Sequence, residues 1–166
     1  MIVSVLKCPD RKFTPFIKRA VKFYSEILIP NEKIRNSISI EIVFVKDLEN
    51  YGSAEISVAS KKPREFNIEL HPGIGAKKML STLAHEMVHI KQYVYGELDD
   101  SLSVWRGNKV NSDDIDYWWH PWEIEAFGTE QGLLRKFVEA ERLWEVFSDI
   151  ENPNAPIKNE ILRWKS

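Results

Sequence analysis

Residues Ala76 to Tyr95, AKKMLSTLAHEMVHIKQYVY, decide how the rest of this chain is read. His71-Pro72-Gly73 breaks the pattern before them, and Gly96 suits a left-handed C-cap after them, so the spacing predicts one helix over the whole stretch. Within it, His85-Glu86-Met87-Val88-His89 is an H-E-x-x-H pattern. Residues four apart on a helix lie one turn above the other, which lets the imidazoles of His85 and His89 converge on one metal ion. Glu86, three residues before His89, shares their face and is placed to take a proton from an attacking water and deliver it to a leaving amine. Leu80, Leu83, Ala84, Met87 and Val88 are apolar, as a buried helix presenting a metal face to a cleft requires. The plainer alternative is an ordinary helix with two hydrogen-bonded core histidines.

A catalytic zinc takes three protein ligands and leaves one position open. Candidates for the third are concentrated in His120-Pro121-Trp122-Glu123-Ile124-Glu125-Ala126, at the start of a second long helix expected from Pro121 to about Phe147. Positions two apart point about 200° from each other, so only one of Glu123 and Glu125 can face the metal. Glu123 shares a stripe with Ala126, Leu133, Phe137, Ala140 and Trp144, the side expected to be buried. Glu125 shares one with Thr129, Gly132, Lys136 and Glu139, the side expected to be wet. A buried carboxylate needs a cation or partner, which favours Glu123 as third ligand and leaves Glu125 solvated or hydrogen-bonding from outside. His120 is a rival ligand. Glu130, on the Glu123 stripe, is positioned to hydrogen-bond a ligating imidazole.

Upstream of the motif, Ile2 to Leu6 reads as a short strand or a segment leading into a helix. Thr14-Pro15 reads as an N-cap with proline in the first turn of a helix from Pro15 to Ile29, stopped by Pro30-Asn31. Alternation then predicts strands over Ser37 to Lys46, Ala54 to Ala59 and Phe66 to Leu70, joined by Asn50-Tyr51-Gly52 and Lys61-Lys62-Pro63-Arg64 into a small, three- to four-stranded, mostly antiparallel sheet. The fold class is therefore α+β. Downstream, Glu97 to His120 has no clear periodicity and reads as a lid or cleft wall, and a short helix is expected after Pro156.

The chain's 166 residues suit one domain spanning 1–166, and a composition 43% hydrophobic and 29% charged, with 7 Gly and 8 Pro, excludes a disordered or collagenous chain. A net charge of −2 gives no bulk hold on nucleic acid or anionic membrane. A single cysteine, Cys8, excludes an internal disulfide and a thiolate zinc ribbon, and is read as a small buried apolar residue. Neither a signal peptide nor a membrane span is expected, so the expected location is the cytoplasm.

The segments TLAHEMVHIKQYVYGEL and YWWHPWEIEAFG resemble the small HExxH metallopeptidase domains of the SprT-like and ImmA/IrrE-type zincins. The likeness is nearest to compact phage-encoded versions carrying a Pro-Trp-Glu-x-Glu-Ala block, and it covers roughly Asn67 to Leu134. It implies a minimal zincin-like fold, with an N-terminal helix, a small sheet, an active-site helix and a following long helix. It also implies an extended peptide lying along the sheet's edge strand, for which Ala54 to Ala59 and Phe66 to Leu70 are the candidates. In ImmA/IrrE-type and related gluzincins the third ligand is a Glu three residues before an Ala, which Glu123 and Ala126 match. In SprT-like domains it is a His, which maps to His120. The chain lacks the Cys-rich ribbon and helix-turn-helix that accompany DNA-linked roles in some relatives.

These readings lead to a zinc-dependent endopeptidase acting on a peptide or protein substrate in the cytoplasm, the host's if the chain is phage-encoded. A catalytically inactive, metal-stabilised binding or assembly protein is the alternative, and a metal-free helical domain a third. Tyr93, Tyr117 and His120 are candidates to stabilise an oxyanion. Trp105, Trp118, Trp119 and Trp122 are read as a satellite cluster pinning the long connection. His71 is a turn residue, and Asp113, Asp114 and Asp116 form a solvated loop.

Overall fold

The computed structural model describes residues 1–145 of the chain, so the helix expected after Pro156 lies outside the described residues. The architecture is α+β: among the described residues, four α-helices and a small mixed sheet, with a two-stranded hairpin in the long connection. The sheet holds β1 (Ile2–Leu6), β2 (Ser39–Phe44), β3 (Gly52–Ile56) and β4 (Glu65–Leu70) in the order β1-β2-β4-β3. β1 pairs parallel with β2 and β2 parallel with β4, while only β3 runs antiparallel, against β4. The sheet is thus mixed rather than mostly antiparallel. Two facts explain the difference. The connection from β1 to β2 contains α1 (Thr14–Leu28) and α2 (Glu32–Asn36), a helical crossover that returns the chain in the same direction. β4 buries Phe66, Ile68 and Leu70 and therefore takes an interior place, leaving the edge to the more polar β3.

Alternation sets the register. Ile40, Ile42 and Phe44 of β2 stand opposite Phe66, Ile68 and Leu70 of β4, all buried on one face. Val3 and Val5 extend these rows across β1, and Ala54 and Ile56 extend them across β3. Against this face lie α1 and α3 (Ala76–Tyr95), with α4 (Pro121–Ala140) packed on both helices. Phe137 of α4 meets Phe16, Phe23 and Tyr24 of α1 at ring separations of 5.4, 5.5 and 5.6 Å, and the Tyr24 hydroxyl donates to the Leu80 carbonyl of α3.

Some boundaries differ from the sequence expectation for local reasons. Asn31 does not merely stop α1: its side chain accepts from the amides of Lys33 and Ile34 and starts α2. Thr14 is the first residue of α1 rather than its cap. α4 ends at Ala140, which is exposed, and Arg142 at φ 55° turns the chain so that Leu143 and Trp144 pack back on the core. α3 spans the expected residues, with Gly96 at φ 67° as its left-handed cap.

The connection 97–120 is ordered by its own bonds. β5 (Val104–Trp105) and β6 (Asn108–Lys109) form a hairpin through Arg106 and Gly107, at φ 49° and 81°, the signs a two-residue type I′ turn needs. Asp99 accepts from the amides of Ser103 and Val104 and anchors its base. Of the four tryptophans, Trp122 is buried and meets Trp105 at 6.4 Å, whereas Trp118 and Trp119 are exposed and do not join a satellite core. Cys8 is half-buried. Among the described residues no helix is long and apolar enough to cross a membrane.

Candidate metal centre

The two helices of greatest mutual contact, α3 and α4, bring three buried donors together. His85 Nε2 and His89 Nε2 are 3.1 Å apart, and Glu123 places Oε2 3.2 Å from the first and Oε1 3.4 Å from the second. An ion bound tetrahedrally by N and O ligands at about 2.0–2.1 Å holds them about 3.3 Å apart, so this triangle has the edge lengths of such a site. The buried group His85, His89 and Glu123 can hold a metal ion.

Outer hydrogen bonds fix which atoms face inward. His85 Nδ1 lies 3.0 Å from Glu130 Oε2, and a carboxylate only accepts, so Nδ1 carries a proton and Nε2 is the nitrogen left for a metal ion, which would displace any proton shared there with Glu123. Glu130 is itself held by the Ser81 hydroxyl and the Gln131 amide. His89 Nδ1 lies 2.8 Å from Gln92 Oε1. The Gln92 amide cannot be turned the other way, because its Nε2 donates to the Trp122 carbonyl at 3.0 Å and to Glu125 Oε2 at 2.9 Å. His89 Nδ1 therefore also donates, and its Nε2 lone pair faces the centre. Two imidazole lone pairs and a carboxylate directed at one another repel unless a cation or a proton lies between them.

The electrostatics carry that signature. Burial pushes His85 down, but hydrogen bonds to Glu123 and Glu130 and the charge of Glu86 prevail and raise it to about 9. For His89 burial is again opposed and overcome, by Glu123 and Glu86, and the net direction is up. Burial would raise Glu123, yet the two imidazoles bring it down to about 2.

A cleft of about 510 Å³ reaches the cluster at His85 and is lined also by Glu86, Glu130, Tyr117, Trp118 and Phe127 among others. Glu86 is buried, and its desolvation raises the carboxyl to about 7. Tyr117 donates from its hydroxyl to Glu123 Oε2 at 2.9 Å. Phe127 lies 4.5 Å from the His85 ring and 5.0 Å from Trp118, forming one wall. Tyr51, just before β3, and Gly52, its first residue, line the cleft as well. A Cβ on Gly52 would fall 2.5 Å from Thr82 Cγ2, so glycine is what lets the sheet edge approach α3 here.

His85, Glu86, His89, Glu123, Glu130 and Tyr117 thus converge. The other candidates stand elsewhere. His120 turns its ring to the Ser112 carbonyl at 3.1 Å and packs on Trp122. Glu125 points away from the triangle, to Gln92, Lys91 and Arg106, as the 200° separation from Glu123 requires. Tyr93 is buried with its ring stacked on Phe66. Gln92, Ser81 and Gln131 were not singled out by the sequence; Gln92, three residues after His89 on the same helical face, was the one a spacing argument could have found. No protein-family model matches this chain, and no curated protein and no solved structure matches it either.

Proposed function

We propose that this chain is a zinc-dependent metallopeptidase of zincin-like fold, with His85, His89 and Glu123 holding the metal and Glu86 moving the proton. The observation that carries this reading is the triangle of inward-facing ligand atoms, 3.1–3.4 Å on its edges, beside an open cleft that Glu86 also lines. Its likeness in sequence to SprT-like and ImmA/IrrE-type domains supports it, and Glu123, three residues before Ala126, favours the gluzincin ligand set. A bound zinc ion would supply Lewis-acid activation of water and of the scissile carbonyl. Glu86 takes the proton of the attacking water and returns it to the leaving amine, a task suited to a desolvated carboxyl near neutrality. Tyr117, whose hydroxyl borders Glu123, is the better placed of the two tyrosines to donate to a developing oxyanion. Among the described residues β3 pairs on one side only, with β4, and its first residue, Gly52, lines the cleft, so its other edge can add an extended peptide as a further strand.

Metal analysis of protein purified without added zinc, combined with cleavage of labelled denatured casein, tests the reading. One zinc per chain and cleavage abolished by chelator are expected. Zinc without cleavage would favour the metal-stabilised assembly protein, and no metal would end both readings.

A further inference from the structure

We infer that Glu125 is a positioning residue for the metal centre, acting through Gln92 on His89, and that the 97–120 connection holds it in place. This rests on the reading of His85, His89 and Glu123 as metal ligands.

Gln92 is fully buried, and both ends of its amide are engaged. Its oxygen takes the His89 Nδ1 proton, and its nitrogen donates to the Trp122 carbonyl and to Glu125. An amide that can rotate by half a turn would offer His89 either a donor or an acceptor; the Trp122 carbonyl and the carboxylate of Glu125, which only accept, together remove that choice. Only one ring orientation then leaves the His89 Nε2 lone pair on the metal side. Glu125 is itself clamped. Lys91 Nζ lies 3.1 Å from its Oε1 and 2.6 Å from Glu97, and the Arg106 guanidinium approaches the same Oε1 at 2.8 Å. Arg106 sits in the β5–β6 turn and Glu97 just after α3, so the connection grips the outer end of a chain of hydrogen bonds whose inner end is a metal ligand.

Zinc affinity, read by competition with a chromophoric chelator, tests this alongside the thermal midpoint of the metal-free protein. Glu125→Ala is expected to weaken zinc by several-fold up to about tenfold, the low end of the cost of losing a direct outer partner of a ligating histidine, because the Trp122 carbonyl still holds one hydrogen of the Gln92 amide. Its Nδ1 proton signal for His89 should exchange rapidly in NMR spectra, where the parent's is protected. Glu125→Gln keeps an acceptor for Gln92 and should recover most of the affinity. Glu141→Ala removes an ion pair with Arg19 just beyond α4, and should leave zinc affinity unchanged. If Glu125→Ala does not fold, Arg106→Ala, whose side chain is half exposed, is expected to weaken zinc about two- to fivefold. Unchanged zinc affinity in the folded Glu125→Ala protein, or in Arg106→Ala where the first does not fold, overturns the inference. A parent chain that binds no zinc overturns the metal reading itself, a distinct result.

Discussion

His85 has each ring nitrogen committed, Nδ1 to Glu130 and Nε2 to the centre, and the consequences can be measured at this one residue. In the metal-free protein it is held at about 9 against its ordinary 6.5, so binding a metal displaces a proton at neutral pH. Zinc affinity should therefore climb as pH rises from 6.5 towards about 9 and flatten beyond, in titrations at fixed ionic strength. The stability of the metal-free protein should move the other way. A folded pKa raised above the unfolded value gives stability that is complete below 6.5 and lost as pH rises through about 9, and the raised Glu86 acts with the same sign at lower pH. Denaturant melts of chelated protein at pH 6.5 and 9 check this; greater stability at pH 9 would contradict it. Glu86→Gln should retain zinc while casein cleavage falls about 10²–10⁴-fold, and undiminished turnover would remove Glu86 from the mechanism. At this scale much was legible. Four-residue spacing fixed the relation of His85 to His89, and the stripe through Ala126 and Leu133 separated Glu123 from Glu125. Spacing could have placed Gln92 beside His89, but its role was not legible, because that depends on the Trp122 carbonyl and Glu125 arriving from another helix.

At the scale of elements, α3 was readable from end to end because periodicity, a turn before it and a left-handed glycine after it agree. The sheet was readable strand by strand but not in order. Alternation says which face of β2 or β4 is buried, and nothing in it says that β4 lies between β2 and β3. The hairpin in the connection hid behind an arginine at a positive φ, a residue type that gives no turn signal. Gly52 tests the docking of β3 on α3. Gly52→Ala should cost about 1–3 kcal/mol in denaturant unfolding, since its methyl meets Thr82 and the Glu69 carbonyl with little room to yield. A neutral effect would mean that the edge strand stands too far from α3 for a methyl at residue 52 to reach Thr82.

Across the whole molecule, α1 and α4 meet through Phe137 and its three aromatic neighbours, while α3 and α4 meet through the donor triangle, so one side of α4 is secured by apolar packing and the other by polar groups. Phe137→Ala should cost about 3–5 kcal/mol and weaken zinc binding only through loss of folded protein, as calorimetry with and without metal would separate. Zinc at a hundredfold excess over its dissociation constant should stabilise the parent by about 2.7 kcal/mol, an increment absent from a His85→Ala, His89→Ala double variant. The most direct measurement is an anomalous difference map collected at the zinc absorption edge from crystals of the purified chain. A single peak among His85 Nε2, His89 Nε2 and the Glu123 carboxylate is the predicted result. A map with no peak there, or imidazoles turned away from each other around an empty, sealed interior, would contradict the account.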